Sequence, residues 1–127
     1  MTKEQIIRDY GSLALAYIGD AAYELKVREY VLNTGITVNG KMHKEAKKMV
    51  SAMAQNELLF KIMPYLTEDE AGVVRRGRNA KTHSHSKNAD ITAYHNATGF
   101  EALWGYLYLQ NNTERMNEIF DIIIKSE

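Results

Sequence analysis

The chain has 127 residues, with 16 basic and 16 acidic side chains for a net charge of zero, and is 45% hydrophobic with no cysteine. This balance suits one globular domain over residues 1–127 and excludes disordered and fibrous classes; without thiols there is no disulfide framework, thiolate metal site or thiol nucleophile. The longest apolar run, Leu13 to Ile18, is far short of the ~20 residues that span a bilayer, and the amino terminus lacks a signal layout, so a cytoplasmic address is expected.

Pro64 is the only proline, and apolar residues recur at threes and fours, so an all-α bundle of five to seven helices is predicted. A short amino-terminal turn carries Ile6, Ile7 and Tyr10. Ser12 can cap a helix to about Leu32, stopped by Asn33-Thr34-Gly35. The next helix is expected to run unbroken from about Lys41 to Met63. Met42, Ala46, Met49, Val50 and Met53 form its core stripe, and Lys41, Lys44 and Lys48 face solvent or RNA. Thr67 and Glu70 form a capping box for a short helix that ends near Gly77. A long loop follows, then a helix from about Asp90 to Leu109 and a last one from the Asn112-Thr113 cap to Ile124.

Charge is concentrated in one place. From Ala71 to Ala89 stand Arg75, Arg76, Arg78, Lys81 and Lys87, with two histidines and no acid, so acids outnumber bases elsewhere. Taken alone, such a run is a solvated loop; the sharper reading is a phosphate contact, because arginine forks match phosphate oxygens. His43, His83, His85 and His95 lack the spacing of a zinc site, and there is no glycine-rich phosphate loop or serine–histidine triad.

Two acids lie on apolar helical stripes, where charge is normally excluded. Asp20 shares a stripe with Leu13, Tyr17, Glu24, Val27 and Val31, and Glu101 with Ala97, Trp104 and Tyr108. Each has an ordinary alternative. Asp20 can be a surface acid beside Glu24 or Lys26, and Thr98-Gly-Phe-Glu101 has the form of a capping box. Gly19 and Gly99, costly within helices, adjoin the acids and suggest close helix approach there. Taken with the basic run, the pair suggests hard oxygen ligands for Mg2+.

The run Leu15-Ala-Tyr-Ile-Gly-Asp-Ala-Ala22 resembles the signature helix of the ribonuclease III catalytic domain, Leu-Glu-Phe-Leu-Gly-Asp-Ala. Thr98-Gly-Phe-Glu-Ala-Leu-Trp-Gly-Tyr-Leu-Tyr108 resembles that domain's second acidic helix, Asp-x-x-Glu-Ala-Leu-x-Gly-Ala-Ile-Tyr. With Arg75-Arg-Gly-Arg-Asn-Ala-Lys81, the likeness is closest to the short bacterial Mini-ribonuclease III branch and covers about residues 12 to 125. The resemblance implies catalytic and metal-binding roles for Asp20 and Glu101, with Mg2+ as cofactor. Two other family glutamates fall on Leu13 and Ala16, and an aspartate falls on Thr98, so two of four core carboxylates remain. Glu24 is an outer-shell candidate by helical spacing.

Without a double-stranded-RNA-binding domain, phosphate contacts would pass to the basic run and to the lysines of the second long helix. The resemblance further implies a homodimer with the signature helix near its twofold axis. The implied activity is an Mg2+-dependent endoribonuclease that cleaves double-stranded RNA to 5′ phosphate and 3′ hydroxyl ends and matures the 23S ribosomal RNA precursor. A ribosomal protein that presents this RNA is a further candidate partner. The competing readings are a degenerate domain that binds structured RNA without cutting it, and a helical protein-interaction module.

Overall fold

The computed structural model describes residues 1–80 and 91–125, and these form an all-α bundle. The helices are α1 (Lys3–Asp9), α2 (Ser12–Asn33), α3 (Asn39–Val50), α4 (Ala52–Ile62), α5 (Glu68–Arg78), α6 (Ile91–Leu109) and α7 (Thr113–Ile124), with a 3-10 turn at Met63–Tyr65 that takes in Pro64. None is long and apolar enough to cross a membrane.

Several boundaries follow from local chemistry. The Thr67 hydroxyl accepts from the Glu70 amide at 3.1 Å and the Glu70 carboxylate accepts from the Thr67 amide at 2.9 Å, closing the expected capping box on α5. Glu70 also takes a two-pronged contact from Arg115 of α7, at 2.7 and 2.8 Å, which pins the α5 start to the carboxyl-terminal helix. The Asn112 side chain accepts from the Arg115 amide and caps α7, while Gly35, at φ 93°, follows the end of α2 in a conformation that suits glycine.

Three expectations need correction. Gly11, not Ser12, occupies the amino-cap of α2 and makes no side-chain cap bond. The helix expected over Lys41 to Met63 breaks at Ser51, which has extended backbone and accepts the Ala54 amide through its hydroxyl. Serine competes with the helix for such bonds, so the chain turns there and Met53, placed in the core by an unbroken helix, is exposed. Third, Arg78 ends α5 rather than opening the loop, so Arg75, Arg76 and Arg78 all stand on the last turn of that helix. Lys81 and Lys87 lie outside the described residues, as do His83 and His85.

The core is built around α6. Between Asn96 and Leu107 every residue is buried except Glu101, the pattern of a helix enclosed on all sides. Its largest contacts are with α2, then α5 and α4. Tyr23 of α2 packs edge-on to Phe100, with ring centroids 4.9 Å apart, and lies 5.3 Å from Trp104. Its hydroxyl donates to the Met49 carbonyl at 2.8 Å, tying α3 to this cluster; burial pushes that hydroxyl's pKa above its ordinary value.

Candidate metal centre

Two glycines bring the acids together. A Cβ on Gly19 would collide with the Glu101 carbonyl oxygen and lie 2.6 Å from the Gly105 amide nitrogen. A Cβ on Gly105 would overlap the Leu15 backbone in turn. Thus α2 and α6 cross backbone to backbone at Gly19 and Gly105, and Asp20, next to Gly19, is delivered to Glu101. Gly99 serves a different crossing: a Cβ there would lie 2.7 Å from the Val74 carbonyl oxygen of α5, and one on Gly77 would lie 2.8 Å from the Gly99 Cα. The expected link between Gly99 and the acidic pair is therefore replaced by a helix contact with α5.

Asp20 and Glu101 share a cleft of about 560 Å³ with Leu13, Ala16, Tyr17, Tyr94 and Thr98. The two carboxyls are within hydrogen-bonding reach, and Glu101 is pushed up to about 8, first by burial and then by the neighbouring Asp20 charge. A hydrogen bond donated by Gln55 works in the opposite direction. Neither acid has a cationic partner among the described residues. Like charges crowded together without a counter-ion are relieved by a cation. Two adjacent carboxylates with open space in front are the donor set that Mg2+ prefers, so the residues fit such an ion.

The structure sorts the remaining candidates. Asp20 is not on a core stripe: Val27 and Val31 are buried, but Leu13, Tyr17 and Asp20 are exposed. Helix α2 carries apolar residues on two faces, so periodicity alone could not tell which one meets the core. The Thr98-to-Glu101 capping box does not form, because both residues lie within α6 and the Thr98 hydroxyl donates back to the Tyr94 carbonyl at 3.1 Å. Glu24 borders the cleft yet pairs with Arg28 at 2.6 Å, so its charge is already matched.

Arg75 and Arg76 border a different cleft, between α1 and α5, with Lys3, Arg8 and Tyr106. Arg78 is packed over Gly99, two residues from Glu101 in sequence. All three are exposed and none has an ion pair with another described residue.

One residue escaped the sequence reading. Gln55 of α4, only 1% exposed, donates from Nε2 to Glu101 Oε2 at 3.3 Å and to the Val50 carbonyl at 3.1 Å. The available signal was a glutamine in helical register with Leu59 and Ile62, both buried.

Residues 13–112 match the model of the Ribonuclease III domain. The chain is 48% identical over 122 residues to the Mini-ribonuclease 3 of Brevibacillus brevis, covering 94% of this chain and 91% of that one. It is 46% identical over 124 residues to the Mini-ribonuclease 3 of Enterococcus faecalis, covering 94% of each. A crystal structure of a Fusobacterium nucleatum protein superposes with a TM-score of 0.85 at 33% identity, covering 94% of this chain and 98% of that one. With the paired acids on the two helices that carry the sequence motifs, and relatives matched over nearly their whole length, this chain belongs to the ribonuclease III domain family, in its Mini-ribonuclease 3 branch.

Proposed function

We propose that the protein is an Mg2+-dependent endoribonuclease that cuts double-stranded RNA, with Asp20 and Glu101 holding the metal. The observation that carries this is the Asp20–Glu101 pair, side by side in an open cleft with no described cation to balance it. Held by Asp20 and Glu101, Mg2+ would supply the Lewis-acid chemistry that makes a water nucleophilic toward phosphorus and would offset charge on the phosphate oxygens. The chain's own part is placement. Gly19 and Gly105 set the distance between the acid-bearing helices, Gln55 holds one Glu101 oxygen, and the apolar wall of Leu13 and Ala16 lowers the polarity around the pair.

Membership of the Mini branch supports the finer assignment. The substrate is the terminal stem of the 23S ribosomal RNA precursor, cut to 5′ phosphate and 3′ hydroxyl ends in the cytoplasm, with a ribosomal protein presenting the RNA. The domain would bind the duplex through Arg75, Arg76, Arg78, Lys81 and Lys87. The deciding experiment is incubation of the chain with a long RNA duplex, with and without Mg2+. Fragments that require metal support the proposal. Binding without fragments in Mg2+ supports the alternative of a domain that binds RNA without cutting it, to which Leu13, Ala16 and Thr98 at family acid positions point.

The arginines of α5 are exposed and unpaired with other described residues, which suits contact with the phosphates of a bound duplex. Arg76→Ala with Arg78→Ala is expected to weaken RNA binding regardless of sequence, since phosphates carry no sequence code. The salt slope should fall by about 1 per lost contact. Binding measured in Ca2+ across a salt series checks this; an unchanged slope would return the arginines to the solvated surface and make Lys41, Lys44 and Lys48 the next candidates.

The homodimer proposal rests on α2. Tyr17 is 84% exposed and Leu13 46%, beside the acid cleft, an apolar surface suited to a second copy. Tyr17→Arg is expected to shift the protein to monomer in analytical ultracentrifugation, and wild-type sedimentation of that variant would place the twofold contact elsewhere.

A further inference from the structure

The geometry points to Gln55 as a positioning residue of the metal centre, one that fixes the Glu101 carboxylate for the cation without consuming its charge. The inference deepens the functional proposal and rests on its metal site. Helix α3 ends at Val50, leaving the Val50 carbonyl among the acceptors without a partner inside the helix. Gln55 Nε2 donates to that carbonyl at 3.1 Å and spends its other hydrogen on Glu101 Oε2 at 3.3 Å.

The amide cannot be turned over at no cost, because Oε1 would then face two oxygen acceptors. In its present orientation Oε1 is buried with no hydrogen-bond partner among the described residues, and leaving a buried acceptor unpaired is unfavourable. A glutamine serving only to fill space would not need this arrangement. Both donors are committed at the expense of the acceptor, and one of the two partners is the candidate ligand. A lysine here would neutralise Glu101 and compete with the cation; a neutral donor orients the carboxylate and leaves its negative charge for the metal. The break at Ser51 that exposes Met53 therefore also supplies the carbonyl that anchors Gln55.

The test is calorimetric titration of Mg2+ alone into the metal-free chain, wild type against Gln55→Met, which keeps side-chain length and removes both donors. Loss of the hydrogen bond to a ligating carboxylate is expected to weaken Mg2+ binding about tenfold, with helical content retained by circular dichroism. Wild-type Mg2+ affinity in folded Gln55→Met overturns the inference while leaving the metal site standing. A wild-type chain that binds no Mg2+ overturns the site itself, and the inference with it. If Gln55→Met does not fold, the wild-type chain decides through the Gln55 side-chain amide signals in a nitrogen–proton correlation spectrum. These should move as Mg2+ is added, because the carboxylate they hydrogen-bond takes up the ion. Signals unmoved through saturation overturn the inference.

Discussion

Asp20→Asn and Glu101→Gln are each expected to abolish RNA cleavage while leaving the chain folded, and Glu101→Gln should raise the stability of the metal-free protein at alkaline pH. Each substitution keeps side-chain volume and removes one of two charges in the pair. Glu101 has an ordinary pKa of 4.5 and is pushed up to about 8 in the fold, chiefly by burial. A raised folded-state pKa means the native protein binds the proton more tightly than the unfolded chain. Its contribution is therefore fully present below the unfolded value and is lost as pH rises through the folded one. Metal-free wild type should lose stability from about pH 5 to pH 8, whereas Glu101→Gln, fixed in a neutral form, should lack that slope.

Added Mg2+ should reverse the order, because a ligand that binds only the native state stabilises it. Thermal melts of both proteins across this range, with chelator and with Mg2+, check the prediction alongside cleavage assays. Cleavage by a folded Asp20→Asn protein, or a metal-free wild type without the pH slope, would count against the site. No stability loss from a broken helix cap is expected for Glu101→Gln, since Glu101 lies within α6 rather than at its start.

Gly19→Ala is expected to be the most damaging single-methyl change, costing about 3 kcal/mol or more. Its Cβ would meet backbone atoms of Glu101 and Gly105 on α6, and backbone cannot swing aside as a side chain can. Relief requires α2 to move off α6, which opens the aromatic cluster of Tyr23, Phe100 and Trp104 and separates Asp20 from Glu101. Activity should therefore fall together with stability.

The same substitution at Gly40 makes the contrast. Gly40 lies in α3 with nothing within 4 Å of an added Cβ, so alanine there should stabilise by about 0.5 kcal/mol through reduced freedom of the unfolded chain. Urea denaturation of both variants tests the pair. A Gly19→Ala protein as stable as wild type would show that the two helices do not meet at this point.

The sequence by itself determined the helical class and the amino-terminal caps of α5 and α7, and it singled out both acids. These depend on interactions within a few residues: the Thr67–Glu70 and Asn112–Arg115 bonds span three positions, and Asp20 and Glu101 stand in motifs legible as strings. Even the cost of Gly19 was visible as a glycine inside a helical pattern.

What the tertiary structure alone decided is which face of each helix meets which neighbour. Helix α2 offers two apolar faces, so only packing reveals that Leu13, Tyr17 and Asp20 are exposed while Leu15, Tyr23 and Val27 are buried. Ser51 breaks a helix that its periodic neighbours would have continued. That break places Gln55 against Glu101, 46 residues away in the chain, a contact no local pattern encodes. Gly99 likewise read as part of the acidic cluster until its partner proved to be α5. Spacing along a helix fixes which residues share a face; the burial of that face is set by the other helices competing for the same core.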